Sequence, residues 1–487
     1  MNRNRWRQVL LCVFAVGIVF PPAGITADNP ATQSVSNLTT PGTSWATESN
    51  KAPAWLTEPL SLADCINLAM TQNSAILKSK RDVEAAHGVV LQTRAIVIPK
   101  VQAGGKYQIV DGSSIDKFPF LSSLPTVGGV PVISYPDQSW NASVQLVQSI
   151  YEGGKMSSAV RSARLIREQA ILGHQAVISD TLFAVKSAFA DVLLAEDQIK
   201  VQRASIKLLT NELEDNERRF NAGTVPRFNY LRAAVQLTNA MPKLIRAENS
   251  LRIAKNNLVN QLGYDVPQGV SENIPLQLTG RLEYEPYDIR LSDAISQALT
   301  KRPELEVTRK AKMLRKEGIT SAKAGYKPSV QSFVGFGSRN SSFTSDLSKD
   351  VSGWFAGAQM SWNIFDGMMT KGKIDEAKAL HEKAVVDVDD VSRKIELEVR
   401  TSYSSFIEAK QVLEAQQEVE KLADEALRLA KARSEAGTGT QLDVLSAETS
   451  LTEARTTHSV ALHDYFVARA RLERAVGHTV ITQSGAK

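Results

Sequence analysis

The chain has 487 residues, 22% of them charged, with 57 Lys and Arg against 52 Asp and Glu and a formal net charge of +5. So even a balance argues against nucleic-acid binding. Two cysteines are too few for a disulfide-stapled scaffold.

Arg3, Arg5 and Arg7 precede an apolar run from Val9 to Phe20, and Ile25-Thr-Ala27 offers a small residue for cleavage. This pattern predicts a secretory signal over 1–27, with an apolar run too short to span a membrane as a mature helix. Cys12 lies inside the run, which argues against a lipoprotein anchor. Cleavage leaves 54 basic against 52 acidic residues, a charge of +2. Residues 28–58, rich in Ser and Thr with Pro30, Pro41 and Pro53, are expected to form a flexible leader. The mature chain keeps only Cys65, which the helical pattern around it marks as a small buried apolar group.

Beyond residue 58 the chain contains itself twice. Residues 62–102 align without a gap to 291–331 at an offset of 229, and Trp140–Gly263 aligns to Trp354–Gly477 at an offset of 214. Ile150-Tyr-Glu-Gly153 recurs as Ile364-Phe-Asp-Gly367, and Ala222-Gly-Thr224 as Ala436-Gly-Thr438. The 15-residue difference in offset places an insertion between residues 103 and 139 of the first copy. We assign repeat 1 to 59–285, repeat 2 to 286–478 and a C-terminal tail to 479–487; internal repetition implies pseudo-symmetry.

Each copy reads as helix, strand, loop, strand, long helix, turn, long helix. The first helix is expected from about Leu60 to Ile98 and from Leu291 to Tyr326, each stopped by a proline, Pro99 or Pro328. In the strand over 101–109, Val101, Ala103, Gly105, Tyr107 and Ile109 alternate with Gln102, Gly104, Lys106 and Gln108. The next strand puts Trp140, Ala142, Val144, Leu146, Gln148 and Ile150 on one face. Its counterpart over 354–364 puts Trp354, Ala356, Ala358, Met360, Trp362 and Ile364 there. A period of two over about ten residues, with one apolar face, suits a tilted membrane strand. Trp140, Trp354, Trp362 and Tyr107 are the candidate membrane-interface residues.

Val185, Val192, Ile199, Ile206, Leu213 and Phe220 then recur every seven residues, as do Leu237, Leu244, Leu251 and Leu258 after the turn. Copy two follows more loosely, with Val399, Phe406, Leu413 and Leu427, then Leu451, Tyr465 and Leu472. Sustained heptads predict coiled-coil packing along rods of roughly 100 Å. Asn221–Pro226 and Glu435–Thr440 are the hairpin tips, with Gly223 and Gly437 supplying the left-handed stop.

Four strands cannot close a barrel, and an open edge cannot lie in lipid, so the strands must be shared among several chains. Two chains would supply eight, three twelve and four sixteen. The Leu-x-Asp helix starts at Leu62 and Leu291, Pro99 and Pro328, the Ile-[Tyr/Phe]-[Glu/Asp]-Gly strand ends and the Ala-Gly-Thr tips together resemble the TolC family of outer-membrane efflux and secretion channels. The resemblance runs over about 59–478. It implies a mainly α protein with membrane β, built of two tandem repeats, each a strand pair plus a long coiled-coil hairpin. It implies a homotrimer with a twelve-stranded barrel in the outer-membrane lipid, continued by an α-helical periplasmic tunnel. It implies a passive exit duct of a tripartite efflux pump or type I secretion system. A periplasmic adaptor, with an inner-membrane transporter behind it, would dock at the tips formed by Gly223, Thr224, Val225, Gly437, Thr438 and Gly439. The other reading of the pattern is a non-conducting periplasmic coiled-coil scaffold.

No phosphate-binding loop, zinc motif or nucleophile elbow occurs, so no enzyme activity, cofactor or metal is expected. The acidic run Glu212–Glu217 reads as a solvated helix face, and His458 and His463 as solvated or packed rather than ligating. The resemblance matches Asp443 to a lumen-facing aspartate, which makes it the candidate pore constriction. A threefold ring of such carboxylates would attract cations. Read from the sequence alone, Asp443 is a first-turn acid complementing the helix dipole. The positions that lock the entrance in relatives are Asn229, Ser434 and Gly439 here, so that lock does not carry over.

Overall fold

The computed structural model describes residues 58–111, 138–264, 274–340 and 347–477. The signal, almost all of the leader, the C-terminal tail and most of the long copy-one loop lie outside them.

The described chain begins with β1 (Pro59–Leu60), α1 (Leu62–Gln72), α2 (Ser74–Arg94), β2 (Lys100–Ile109) and β3 (Gln138–Glu152). The first hairpin follows as α3 (Lys155–Asn221) and α4 (Arg227–Leu262), and β4 (Gln277–Leu278) pairs with β1 in parallel. Copy two repeats the order with α5 (Leu291–Lys301), α6 (Pro303–Lys323), β5 (Ser329–Asn340), β6 (Asp350–Ser361), α7 (Met369–Glu435) and α8 (Gln441–Val476). Among the described residues no helix is long and apolar enough to cross a membrane.

Both copies break the expected first helix in two at one repeat position, by different chemistry. In copy one Asn73 leaves the helical region (ψ 127°), and its side chain caps α2 by accepting from the Ala75 and Ile76 N–H groups at 2.8 and 3.3 Å. In copy two Arg302 takes the same extended conformation (ψ 121°) because Pro303 follows it and disfavours helix there. In copy one α2 ends at Arg94, short of Pro99, while in copy two α6 ends at Lys323 and a single 3-10 turn, Ala324–Tyr326, carries it to the expected end before Pro328.

The long helices α3 and α7 have 67 residues each, about 100 Å. Each is flanked over one part of its length by a 36-residue return helix and over the rest by a broken pair of 11 and 21 residues. The expected Leu heptads are present, but in α4 the more deeply buried seam is alanine. Ala233, Ala240, Ala247 and Ala254 are all buried seven residues apart, and Ala447, Ala454, Ala461 and Ala468 repeat them in α8, with Ala454 and Ala461 buried. Alanine contributes little bulk along this seam, and Leu occupies the other core position.

Two cores obey the repeat. Cys65, Ala69, Val185, Val192, Leu258 and Leu262 in one correspond to Ala294, Ala298, Val399, Phe406, Leu472 and Val476 in the other. Cys65 is fully buried, and burial pushes its thiol up to about 12, as expected of a small apolar filler at the position that Ala294 holds in the other copy.

β2, β3, β5 and β6 form one antiparallel sheet in that order. Its register confirms the two faces. Val101, Leu146, Val334 and Ala356 share a row on one face, and Gln102, Gln145, Gly335 and Phe355 share a row on the other. Two departures occur. A bulge at Ile150 shifts the register so that Tyr151, not Ile150, opposes Val330. β6 ends at Ser361, so Trp362 and Ile364 lie beyond the strand. On the polar face Phe333 and Phe355 lie over Gly357 and Gly335, where an added Cβ would sit 2.7 Å from the facing ring. The glycines thus admit two aromatic rings onto a face otherwise lined mainly by small or polar groups.

Candidate functional site

Two regions depart from what a self-contained domain needs, the sheet and the hairpin tips. The sheet exposes its apolar face: Trp354 is 78% and Val101 71% exposed, and Val144, Phe336 and Met360 are exposed with them. Its outer strands are β2 and β6, and all ten residues of β2 are exposed. Tyr107 opposes Trp140 and donates its hydroxyl to Gln138 Oε1 at 3.0 Å. Trp140 Nε1 donates to the Leu347 carbonyl at 3.1 Å. These two and Trp354 sit toward the end remote from the helices. Trp362, at the opposite end, donates Nε1 to the Tyr326 carbonyl at 3.2 Å. Aromatic groups therefore flank the apolar face at both ends.

The tips explain the repeated Ala-Gly-Thr. Gly223 (φ 73°) and Gly437 (φ 75°) reverse the chain in the left-handed region. The following threonine N–H closes back on the long helix, Thr224 to the Arg219 carbonyl and Thr438 to the Arg433 carbonyl, each at 2.9 Å. Val225 is half-buried, while Thr224 and Thr438 are exposed. Gly439 has a separate reason to lack a side chain: a Cβ would come within 3.0 Å of Arg433 Cβ.

Asp443 completes a capping box. Its Oδ2 accepts from the Thr440 N–H at 3.0 Å and from the Thr440 hydroxyl at 2.8 Å, while Thr440 Oγ1 accepts from the Asp443 N–H at 3.2 Å. These bonds to Thr440, helped by Arg433, hold the carboxyl below its ordinary range. Asp443 is exposed within this chain. The return helix of copy one starts instead at Pro226, without a side-chain cap.

The acidic run Glu212–Glu217 is not a solvated face throughout. Asn216 is buried and donates to Glu212 Oε1 at 3.0 Å, and Gln441 donates to the same oxygen at 2.9 Å. The i and i+4 positions of α3 turn inward and tie the first hairpin to the start of α8. Close by, Glu448 is 4% exposed and reaches Lys431 Nζ at 3.2 Å, and burial pushes its carboxyl up. Sequence reasoning missed Glu448, although it falls between Leu445 and Leu451 on the buried side of α8. Farther up, His463 bridges Asp191 (2.8 Å) and Asp464 (3.0 Å), and His458 contacts Glu420 at 2.5 Å. Both histidines are packed side chains. No group of three or more His, Cys, Asp or Glu among the described residues is arranged to hold a metal ion.

Paired repeats, a shared sheet with an exposed apolar face and long hairpins define the architecture of outer-membrane channel subunits. The family described as outer membrane efflux protein matches residues 65–264 and 294–478, so the chain belongs to that family, the TolC family. It is 21% identical over 432 residues to outer membrane protein TolC of Escherichia coli K12, covering 87% of this chain and 83% of that one. It is 27% identical over 316 residues to the alkaline protease secretion protein AprF of Pseudomonas aeruginosa, covering 62% and 64%. The fold matches the crystal structure of the Campylobacter jejuni CmeC outer membrane channel with a TM-score of 0.72 at 16% identity, over 94% of each chain.

Proposed function

We propose that the chain is one third of a passive outer-membrane exit duct. The observation that carries the reading is the four-stranded sheet, apolar and exposed on one face, whose outer strands β2 and β6 have no further strand partner among the described residues. Such an edge is intolerable in lipid unless another copy pairs with it, and three copies supply twelve strands. Strands of 10–15 residues at about 3.3 Å each are long enough to cross a hydrocarbon core of about 30 Å when tilted. Trp140, Trp354, Trp362 and Tyr107 would then lie at the two membrane interfaces.

The helices support the same assembly. Phe228, Leu231, Val235, Met241 and Ile245 of α4, and Val412, Val419, Leu422 and Leu429 of α7, are exposed stripes. In a ring of three chains, α4 of one copy would meet α7 of the next and cover both stripes. The tips at Gly223, Thr224, Val225, Gly437, Thr438 and Gly439 would receive a periplasmic adaptor backed by an inner-membrane transporter. Asp443 would narrow the entrance as a carboxylate ring, using the carboxylate edge that its capping bonds leave outward. Mass in detergent by light scattering tests the assembly: a three-chain particle that needs amphiphile is expected, and a soluble single chain would overturn it in favour of the scaffold.

A further inference from the structure

The polar face of the sheet carries its own charge pattern. Lys106 opposes Asn141 across β2 and β3, and Asn141 opposes Arg339 across β3 and β5, so the three side chains share one row. The row lies toward the end of the sheet remote from the helices, and both cations are exposed. Their Cα atoms are two strand spacings apart, about 10 Å. Lys100 stands on the same face at the helix end. Among the described residues of the four strands, the one acid on this face is Glu152, beyond the bulge and opposite Ser329 at the helix end. Asp350 stands on the apolar face, where it accepts from Ser338 Oγ at 3.1 Å, and Asp111 lies past the end of β2.

We infer that Lys106 and Arg339 form a cationic ring in the outer part of the barrel, which selects for small anions and for the anionic groups of cargo. The inference rests on the duct reading, in which the polar face lines the lumen. Threefold symmetry places three lysines at one level and three arginines at a second level close by, offset by the tilt of the strands, so that lysine and arginine alternate around the wall. Their spacing is comparable with the Debye length of about 8 Å at physiological salt, so their fields overlap rather than being screened apart. Rings of Lys and Arg in a narrow, low-dielectric passage concentrate anions and repel cations. Neutral Gln102, Ser143, Gln145 and Gln359 on the same face do not compensate them.

The test is the reversal potential of the purified trimer in a planar bilayer under a tenfold KCl gradient. Wild type is compared with Lys106→Gln/Arg339→Gln, Lys106→Glu/Arg339→Glu and the charge-keeping Lys106→Arg/Arg339→Lys. The chloride-to-potassium permeability ratio should fall by about threefold or more in the Gln pair and further in the Glu pair. It should stay at the wild-type value in the swapped pair. Inositol hexakisphosphate added on the barrel side should block wild type and the swapped pair, with block weakened about tenfold in the Gln pair. Because all variants keep Asp443, any cation preference of the entrance is common to them. Channels of wild-type conductance with an unchanged ratio would overturn the cationic ring alone. Absence of channels in wild type would overturn the duct, and the ring with it.

Discussion

Arg302→Met tests whether the broken helix of copy two is held by charge. Arg302 is 5% exposed and reaches Glu304 at 2.8 Å and also Glu398, both acids being about one-third exposed (34% and 33%). Arg474 reaches the same Glu398 and continues to Asp180 of α3 at 2.7 Å, so the cluster joins both repeats. Removing one member of a buried pair costs about 3–5 kcal/mol. The exposure of the acids and the Arg474 left on Glu398 reduce the expected loss to about 2–3 kcal/mol. Urea unfolding in detergent, followed by helical circular dichroism, measures it. A double-mutant cycle with Glu398→Gln should give a coupling of about 1–2 kcal/mol. Burial alone would raise the Glu304 carboxyl, but its bonds to Arg302 outweigh that and leave it lowered. This contribution is present above the unfolded value and lost as pH falls through the folded one, so the variant should lose less stability on acidification than wild type. A coupling below about 0.3 kcal/mol would refute the argument and leave Pro303 alone responsible for the break.

Other predictions follow from the seams, the tips and the histidine bridge. Ala233→Leu or Ala454→Leu should destabilise by about 1–3 kcal/mol in the same urea assay, because each alanine is almost fully buried and a larger side chain there must displace its neighbours. Thr440→Ala should cost about 1 kcal/mol and speed amide exchange in the first turn of α8, since it removes the cap that holds Asp443. His463 is raised overall: burial opposes its charge, and the Asp191 and Asp464 bonds outweigh burial. Its contribution is full below the unfolded value of about 6.5 and lost as pH rises through the folded one, so His463→Gln should flatten the decline in stability on the alkaline side. Asp443→Ala should weaken block by divalent cations added on the helical side; equal block in variant and wild type would remove Asp443 from the entrance.

The repeat, the element order and the tips were legible because each follows from local rules. Pro99 and Pro328 stand ahead of the strands, Gly223 and Gly437 mark the reversals, and alternation gave the faces of the sheet. The break at Asn73 was harder, because its cap depends on a side chain folding back, and Pro303 should have signalled the matching break at Arg302. The buried alanines of α4 and α8 were not legible, because alanine carries little hydropathy beside the leucine heptads. Inward-turning Glu212, Asn216 and Glu448 escaped notice because polar groups on a helix read as solvated until a second helix covers them. The bulge at Ile150 likewise shows only in the pairing of β3 with β5, which the alternation of one strand does not carry.

The most direct test of the duct is single-channel recording from the purified, detergent-extracted protein in a planar bilayer. Discrete, reproducible openings from a three-chain particle are the predicted result. A three-chain particle that inserts without conducting, or a soluble particle that does not insert, would contradict the account.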